Sequence, residues 1–190
     1  PLRAQVESLE CTVAPEPPVQ AFHLDLESMF TANAGTNAEA LLRTFVDQHH
    51  IDCHTIDPEA MRQLSKQTPP PRHVLASVRS GELVAFGPWP SAQMGLAFDL
   101  GTTKIAGYLV DLDRGVTLAS SGILNPQAAY GEDIITRLVY ASESASYQRQ
   151  LQRVVIRAFN ELAAGLCAQA GIKPQDIVEA VLVGNTAMHH

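Results

Sequence analysis

Apolar residues recur along this 190-residue chain in patterns that change character near residue 90. In the first part the pattern is mixed. Residues 4–13 read as a strand-like stretch, followed by a prolyl loop at Pro15, Pro17 and Pro18. Ala40, Leu41, Phe45 and Val46 fall on one helical face, which predicts a helix over residues 37–49 capped by Thr36 or Asn37. Residues 51–56 read as a short strand. Asp57 then caps a second helix with Pro58 at its first position; it runs to Gln67 and is stopped by Pro69-Pro70-Pro71. Residues 73–78 and 82–86 predict two strands joined as a hairpin at Arg79-Ser80-Gly81.

In the second part Met94, Leu96, Ala97 and Phe98 mark a strand. Residues 104–112 and 116–123 predict two more, turning at Asp113-Arg114-Gly115. A shorter helix over residues 132–142 is expected to face Ile134, Ile135, Leu138 and Ala141 inward. Residues 148–170 form a clear amphipathic helix: Leu151, Val154, Val155, Ala158, Phe159, Leu162, Leu166 and Ala170 recur at three and four, and Gly171 stops it. A last strand is expected over residues 179–183. Two domains follow, 1–90 and 91–190, with the seam near Gly87-Pro88-Trp89-Pro90-Ser91. Both are α/β.

Composition narrows the function classes. A formal charge of −7 argues against a nucleic-acid or anionic-membrane surface. No apolar run is long enough to span a bilayer, and no signal-peptide pattern is present. Cys11, Cys53 and Cys167 are isolated from one another and read as small buried hydrophobes of a cytoplasmic protein. His23, His49, His50 and His54 do not have the spacing of a zinc site. The chain starts at Pro1 without Met and ends as a helix starts, so it is read as a piece of a longer protein.

The chemistry concentrates in Phe98-Asp99-Leu100-Gly101-Thr102-Thr103-Lys104. A strand, a tight Asp-x-Gly-Thr-Thr turn and a second strand make a hairpin suited to gripping phosphate. Gly101 is expected to permit close backbone approach and a positive φ. Successive N–H groups form an anion-binding nest, Thr102 and Thr103 add hydroxyls, and Asp99 is placed to hold a hydrated Mg²⁺. Lys104 is either a phosphate contact or a solvated charge on the strand. Gly184-Asn185-Thr186 leave the last strand and enter a helix; they are either plain caps or the far end of a phosphate site. Asn125-Pro126-Gln127 is either a structural turn or a cleft-facing loop. Asp133 and Arg137 form either a solvated (i, i+4) pair or a functional surface.

Strand order and loop together resemble the first half of a ribonuclease-H-like lobe, that of the actin, sugar-kinase and heat-shock-chaperone superfamily. The resemblance implies that residues 99–103 meet the β- and γ-phosphates of ATP. Asn125-Pro126-Gln127, Tyr130-Gly131-Glu132-Asp133-Ile134-Ile135-Thr136-Arg137 and Val183-Gly184-Asn185-Thr186-Ala187-Met188-His189-His190 follow in order. With the loop, this set resembles the ATP-dependent reductive activators of corrinoid proteins, over residues 94–190. It extends to the first ninety residues only by arrangement and length.

The resemblance implies a small mixed α/β middle domain, helping self-association as a homodimer, ahead of an actin-like ATPase lobe cut short at its first half. It implies ATP and Mg²⁺ as cofactors, with Asp99 reaching the metal through water and Gly101, Thr102, Thr103, Lys104, Gly184, Asn185 and Thr186 around the nucleotide. A [2Fe–2S] ferredoxin domain is expected outside this chain, and a corrinoid protein, reduced from Co(II) to Co(I), is the implied partner. The piece alone is expected to be inactive. A phosphotransferase of the sugar- or acetate-kinase kind and a nucleotide-sensing module remain open on the same fold, because function sits in the site.

Overall fold

The computed structural model describes residues 16–27, 29, 37–67, 69 and 71–188. The strand expected over residues 4–13, Cys11, Thr36, Pro70, His189 and His190 lie outside the described residues. The chain divides into two units, one spanning Glu16–Gln93 and the other including Met94–His190.

In the first unit, β1 (Gln20–Asp25), α1 (Ala38–His49), β2 (Thr55–Ile56), α2 (Pro58–Ser65), β3 (His73–Arg79) and β4 (Glu82–Pro88) follow in order. They make one sheet, β1-β3-β4-β2, antiparallel except for the β2–β4 pair. Local chemistry sets the ends. Asn37 accepts from the Ala40 N–H to start α1, and Asp57 accepts from the Glu59 and Ala60 N–H groups to start α2. Ser80 and Gly81 take φ of 50° and 79°, the left-handed pair that matches a hairpin to strand twist. Leu24, Leu41, Phe45, Val74 and Leu83 fill the core.

The elements of this unit differ from the sequence expectation in several places. The strand expected over 51–56 is only Thr55–Ile56, because β4 offers it just two partners. The second helix ends at Ser65 rather than Gln67. β1, which was not expected, lies along β3. His49 packs its ring on Phe22 and Phe45, and its Nε2 meets the His23 carbonyl at 2.8 Å.

In the second unit, β5 (Met94–Leu100), β6 (Lys104–Asp111) and β7 (Val116–Leu124) form an antiparallel meander. A 3₁₀ turn (Pro126–Tyr130) leads to α3 (Ile134–Glu143) and α4 (Ala145–Ala170). β8 (Ile177–Gly184) then returns parallel to β5, giving the order β7-β6-β5-β8. This is the strand order of the first half of a ribonuclease-H-like lobe, and the chain as a whole is mixed α/β.

Strand alternation decides the faces. Phe98, Leu100, Ile105 and Leu109 are buried beneath Val155, Ala158, Leu162 and Leu166 of α4. Each fully buried Leu there contributes roughly 1.5–3 kcal/mol of transfer free energy. Cys53 and Cys167 are both buried, as expected, and burial pushes both thiols up. α4 begins at Ala145, three residues earlier than its apolar stripe suggests, because Ser144 caps it by accepting from the Tyr147 N–H. Gly171, at φ 70°, ends it. α3 departs most from expectation: Ile135 is 64% exposed and Leu138 is 43% exposed, whereas Arg137 is 3% exposed.

Candidate functional site

The hairpin between β5 and β6 is closed by one backbone hydrogen bond, from the Gly101 N–H to the Lys104 carbonyl at 2.9 Å. β5 runs through Asp99 and Leu100 before the turn begins. A Cβ on residue 101 would lie 2.8 Å from the Lys104 oxygen, so glycine is required by close approach of two backbone segments. The positive φ expected at Gly101 is not found; the left-handed glycines lie elsewhere, at turns such as Gly81 and Gly115. The Gly101 N–H is also spent in closing the turn. Among the described residues, no acceptor takes the N–H or hydroxyl of Thr102 or Thr103. Those four donor groups are uncommitted.

Asp99 lies opposite Ala106 in β6 and beside Val183 in β8. Lys104, two residues from Ala106, shares that face, opposite the one that α4 covers. An exposed carboxylate and an ammonium therefore share the sheet surface that leads to the loop.

The register brings the second motif to the same end of the sheet. Leu100 pairs with Gly184, so the loops leaving β5 and β8 start side by side at the carboxyl ends of two parallel strands. This is the end where ligands bind in open α/β sheets. A Cβ at Gly184 would be 3.3 Å from the Leu100 carbonyl and 3.2 Å from the Met188 Cβ. Asn185 caps the turn Thr186–Met188, its Oδ1 accepting from the Met188 N–H at 3.1 Å. Thr186 is exposed.

Two residues matter more here than their sequence context suggested. Asn125 is 1% exposed. Its Nδ2 donates to the Gly101 carbonyl at 2.8 Å, its Oδ1 accepts from the Gln127 N–H at 2.9 Å, and its backbone N–H donates to the Thr103 carbonyl at 2.9 Å. The structural-turn reading of Asn125 holds, and the turn supports the loop itself. Gln127 in turn donates to the Leu151 carbonyl of α4 at 3.2 Å.

The second is Arg137. Its Nε donates to the Gly131 carbonyl at 2.8 Å, while Nη1 and Nη2 are buried without a partner among the described residues. Asp133 is not simply a solvated ion-pair partner. Its carboxylate accepts from the Thr136 N–H and hydroxyl as the α3 cap, which holds it below the usual carboxylate range. Burial lowers the Arg137 pKa, and Asp133 opposes this through space. Arg137 lines a cleft of about 520 Å³ with Gln127, Leu100, Val155, Phe159 and Met188. No helix among the described residues is long and apolar enough to cross a membrane.

The chain is similar to known proteins in sequence and in fold. The corrinoid activation enzyme RamQ of Eubacterium limosum is 36% identical over 96 residues, which are 50% of this chain and 16% of that protein. A solved reductive activator for corrinoid, iron–sulfur protein superposes on 96% of this chain and 30% of its own, with TM-score 0.71 and 27% identity. The chain thus spans less than a third of either relative. The family model described as the RACo middle region matches residues 94–190, the stretch holding both loops, Asn125 and Arg137, and the chain belongs to that family.

Proposed function

We propose that this chain is the part of a reductive activator of corrinoid proteins in which nucleotide binding is converted into a change of shape. The observation that carries the reading is the coincidence of the family match with the hairpin at residues 99–104 and its uncommitted Thr102 and Thr103 donors. The residues fit Mg-ATP. Thr102 and Thr103 would face phosphate oxygens with two N–H groups and two hydroxyls. Lys104 would add a positive charge from the sheet face. Asp99 would hold the hydration shell of Mg²⁺, and Gly184, Asn185 and Thr186 would border the same end of the cleft. When bound, the metal screens charge on the phosphates.

The residues of the chain orient and anchor, and they carry no electron. One electron would come from a [2Fe–2S] domain outside this chain and reduce Co(II) of the partner's corrinoid to Co(I). Nucleotide acts here only as far as the two shapes bind it, or the partner, with different affinity. The proposed division places a middle domain at 1–90, with a role in homodimer contact, and the first part of the ATPase lobe at 91–190, in a cytoplasmic protein.

The test is visible absorbance of a Co(II)-corrinoid protein mixed with the full-length gene product, a low-potential reductant and Mg-ATP. The Co(I) band is expected with ATP and wild-type protein and is lost with Asp99→Ala. Nucleotide binding without Co(I) for any corrinoid partner would overturn the activator reading and favour a phosphotransferase or a sensor.

A further inference from the structure

We propose that the cleft between α3 and α4 binds a carboxylate, with Nη1 and Nη2 of Arg137 donating side by side to its two oxygens. The inference stands independently of the nucleotide reading. A buried guanidinium normally has every nitrogen engaged, since leaving it partly unpaired in the interior is costly. Arg137 has one of its three engaged, and the two that remain are those that form a fork matching a planar carboxylate. Asp133, the acid that acts on it through space, is committed to capping α3. The acceptor therefore comes from outside the described residues.

The walls say which anion. Leu100, Val155, Phe159 and Met188 give the cleft an apolar side, Gln127, Gln148 and Gln152 add neutral polar groups, and Arg149, which also lines it, is exposed to water, so Arg137 is its one buried cation. One carboxylate balances one guanidinium. A phosphate dianion would carry one charge more than the Arg137 guanidinium neutralises. The volume of about 520 Å³ accommodates a short aliphatic tail behind the head group. The carboxylate belongs either to a free aliphatic acid or to an Asp or Glu side chain of a polypeptide segment seated in the cleft.

The experiment follows the Arg137 guanidinium by ¹⁵N–¹H NMR, in the 190-residue chain and in the full-length gene product, during titration with hexanoate and, separately, with inorganic phosphate. A free-acid site gives saturable, slowed exchange of the Nη protons with hexanoate in both proteins. A side-chain site gives Nη protons already slowed in the full-length product, where hexanoate changes nothing. Arg137→Met is expected to weaken hexanoate binding on the order of 30-fold or more, and Arg137→Lys, which lacks the fork, to recover only part. Fast Nη exchange in both proteins with no response to hexanoate would overturn the proposal. Equal response to phosphate, or unchanged binding in Arg137→Met, would do so too.

Discussion

Replacing Asn125 by Ala tests whether the loop at residues 99–104 is held from outside itself. The change removes the donor to the Gly101 carbonyl and the acceptor for the Gln127 N–H, at 2.8 and 2.9 Å, from a side chain that is 1% exposed. Each buried group left unpaired costs about 1–3 kcal/mol, and part is recovered where water reaches the loop. A total of about 2–3 kcal/mol is expected, which lowers the melting temperature of a unit of this size by roughly 8–15 °C. Asn125→Asp separates the two bonds. It keeps the acceptor for Gln127 but turns a carboxylate oxygen toward the Gly101 carbonyl, so it should be no more stable than Asn125→Ala. The assay is thermal denaturation by circular dichroism, with nucleotide binding of the full-length product measured in parallel. Asn125→Ala within about 0.5 kcal/mol of wild type, or full stability in Asn125→Asp, would refute the anchoring role.

Three further changes probe other parts of the second unit. The folded-state pKa of Asp133 is depressed by the Thr136 N–H and hydroxyl, so its capping contribution is complete above the unfolded value near 4 and is lost as pH falls through the lower folded value. Melts between pH 2 and 6 should show wild type losing stability relative to Asp133→Asn in that window, and a constant difference would contradict this. Gly107→Ala would place a Cβ 2.8 Å from Leu162 Cδ2 and 3.1 Å from Phe98 Cε1, costing about 1–3 kcal/mol of overpacking, more than the backbone-entropy gain of roughly 0.5–1 kcal/mol. Adding Leu162→Ala should relieve part of that strain, and additive losses in denaturant titrations would reject the contact. Cys167 is 1% exposed with its thiol pushed up by burial, so a thiol reagent should label it only as fast as the unit opens. Labelling at the rate of a free thiol in native buffer would exclude this.

What was legible in the chain was local and periodic. The stripe from Leu151 to Ala170 shows α4 because its partners lie on one face of one helix. The hairpins at Ser80-Gly81 and 113–115 are visible because turn residues carry their own preference. β1 was overlooked although Phe22, Leu24 and Leu26 alternate, since its signal is short and follows a proline-rich approach. The loop at 99–104 was readable as a motif, but the loss of its Gly101 N–H to the turn was not, because that depends on where Lys104 carries its carbonyl. Arg137 was out of reach for a related reason. Helical spacing puts Ile134, Leu138 and Ala141 on one stripe, and only the packed position of α4 shows that the guanidinium is buried beside them.

The parallel pairing of β5 with β8 also fixes an order in time. The meander of β5, β6 and β7 can assemble from near neighbours, but the far edge of β5 waits for a strand whose Gly184 meets Leu100. Contacts so distant in the chain form late, after most of the loop-closure entropy has been overcome. During synthesis the apolar row Met94, Leu96 and Phe98 therefore spends the making of α3 and α4 with open backbone donors and acceptors along one side, a strand edge on which another chain can pair. The amphipathic α4, emerging before β8, covers the face of that row while its edge is still bare.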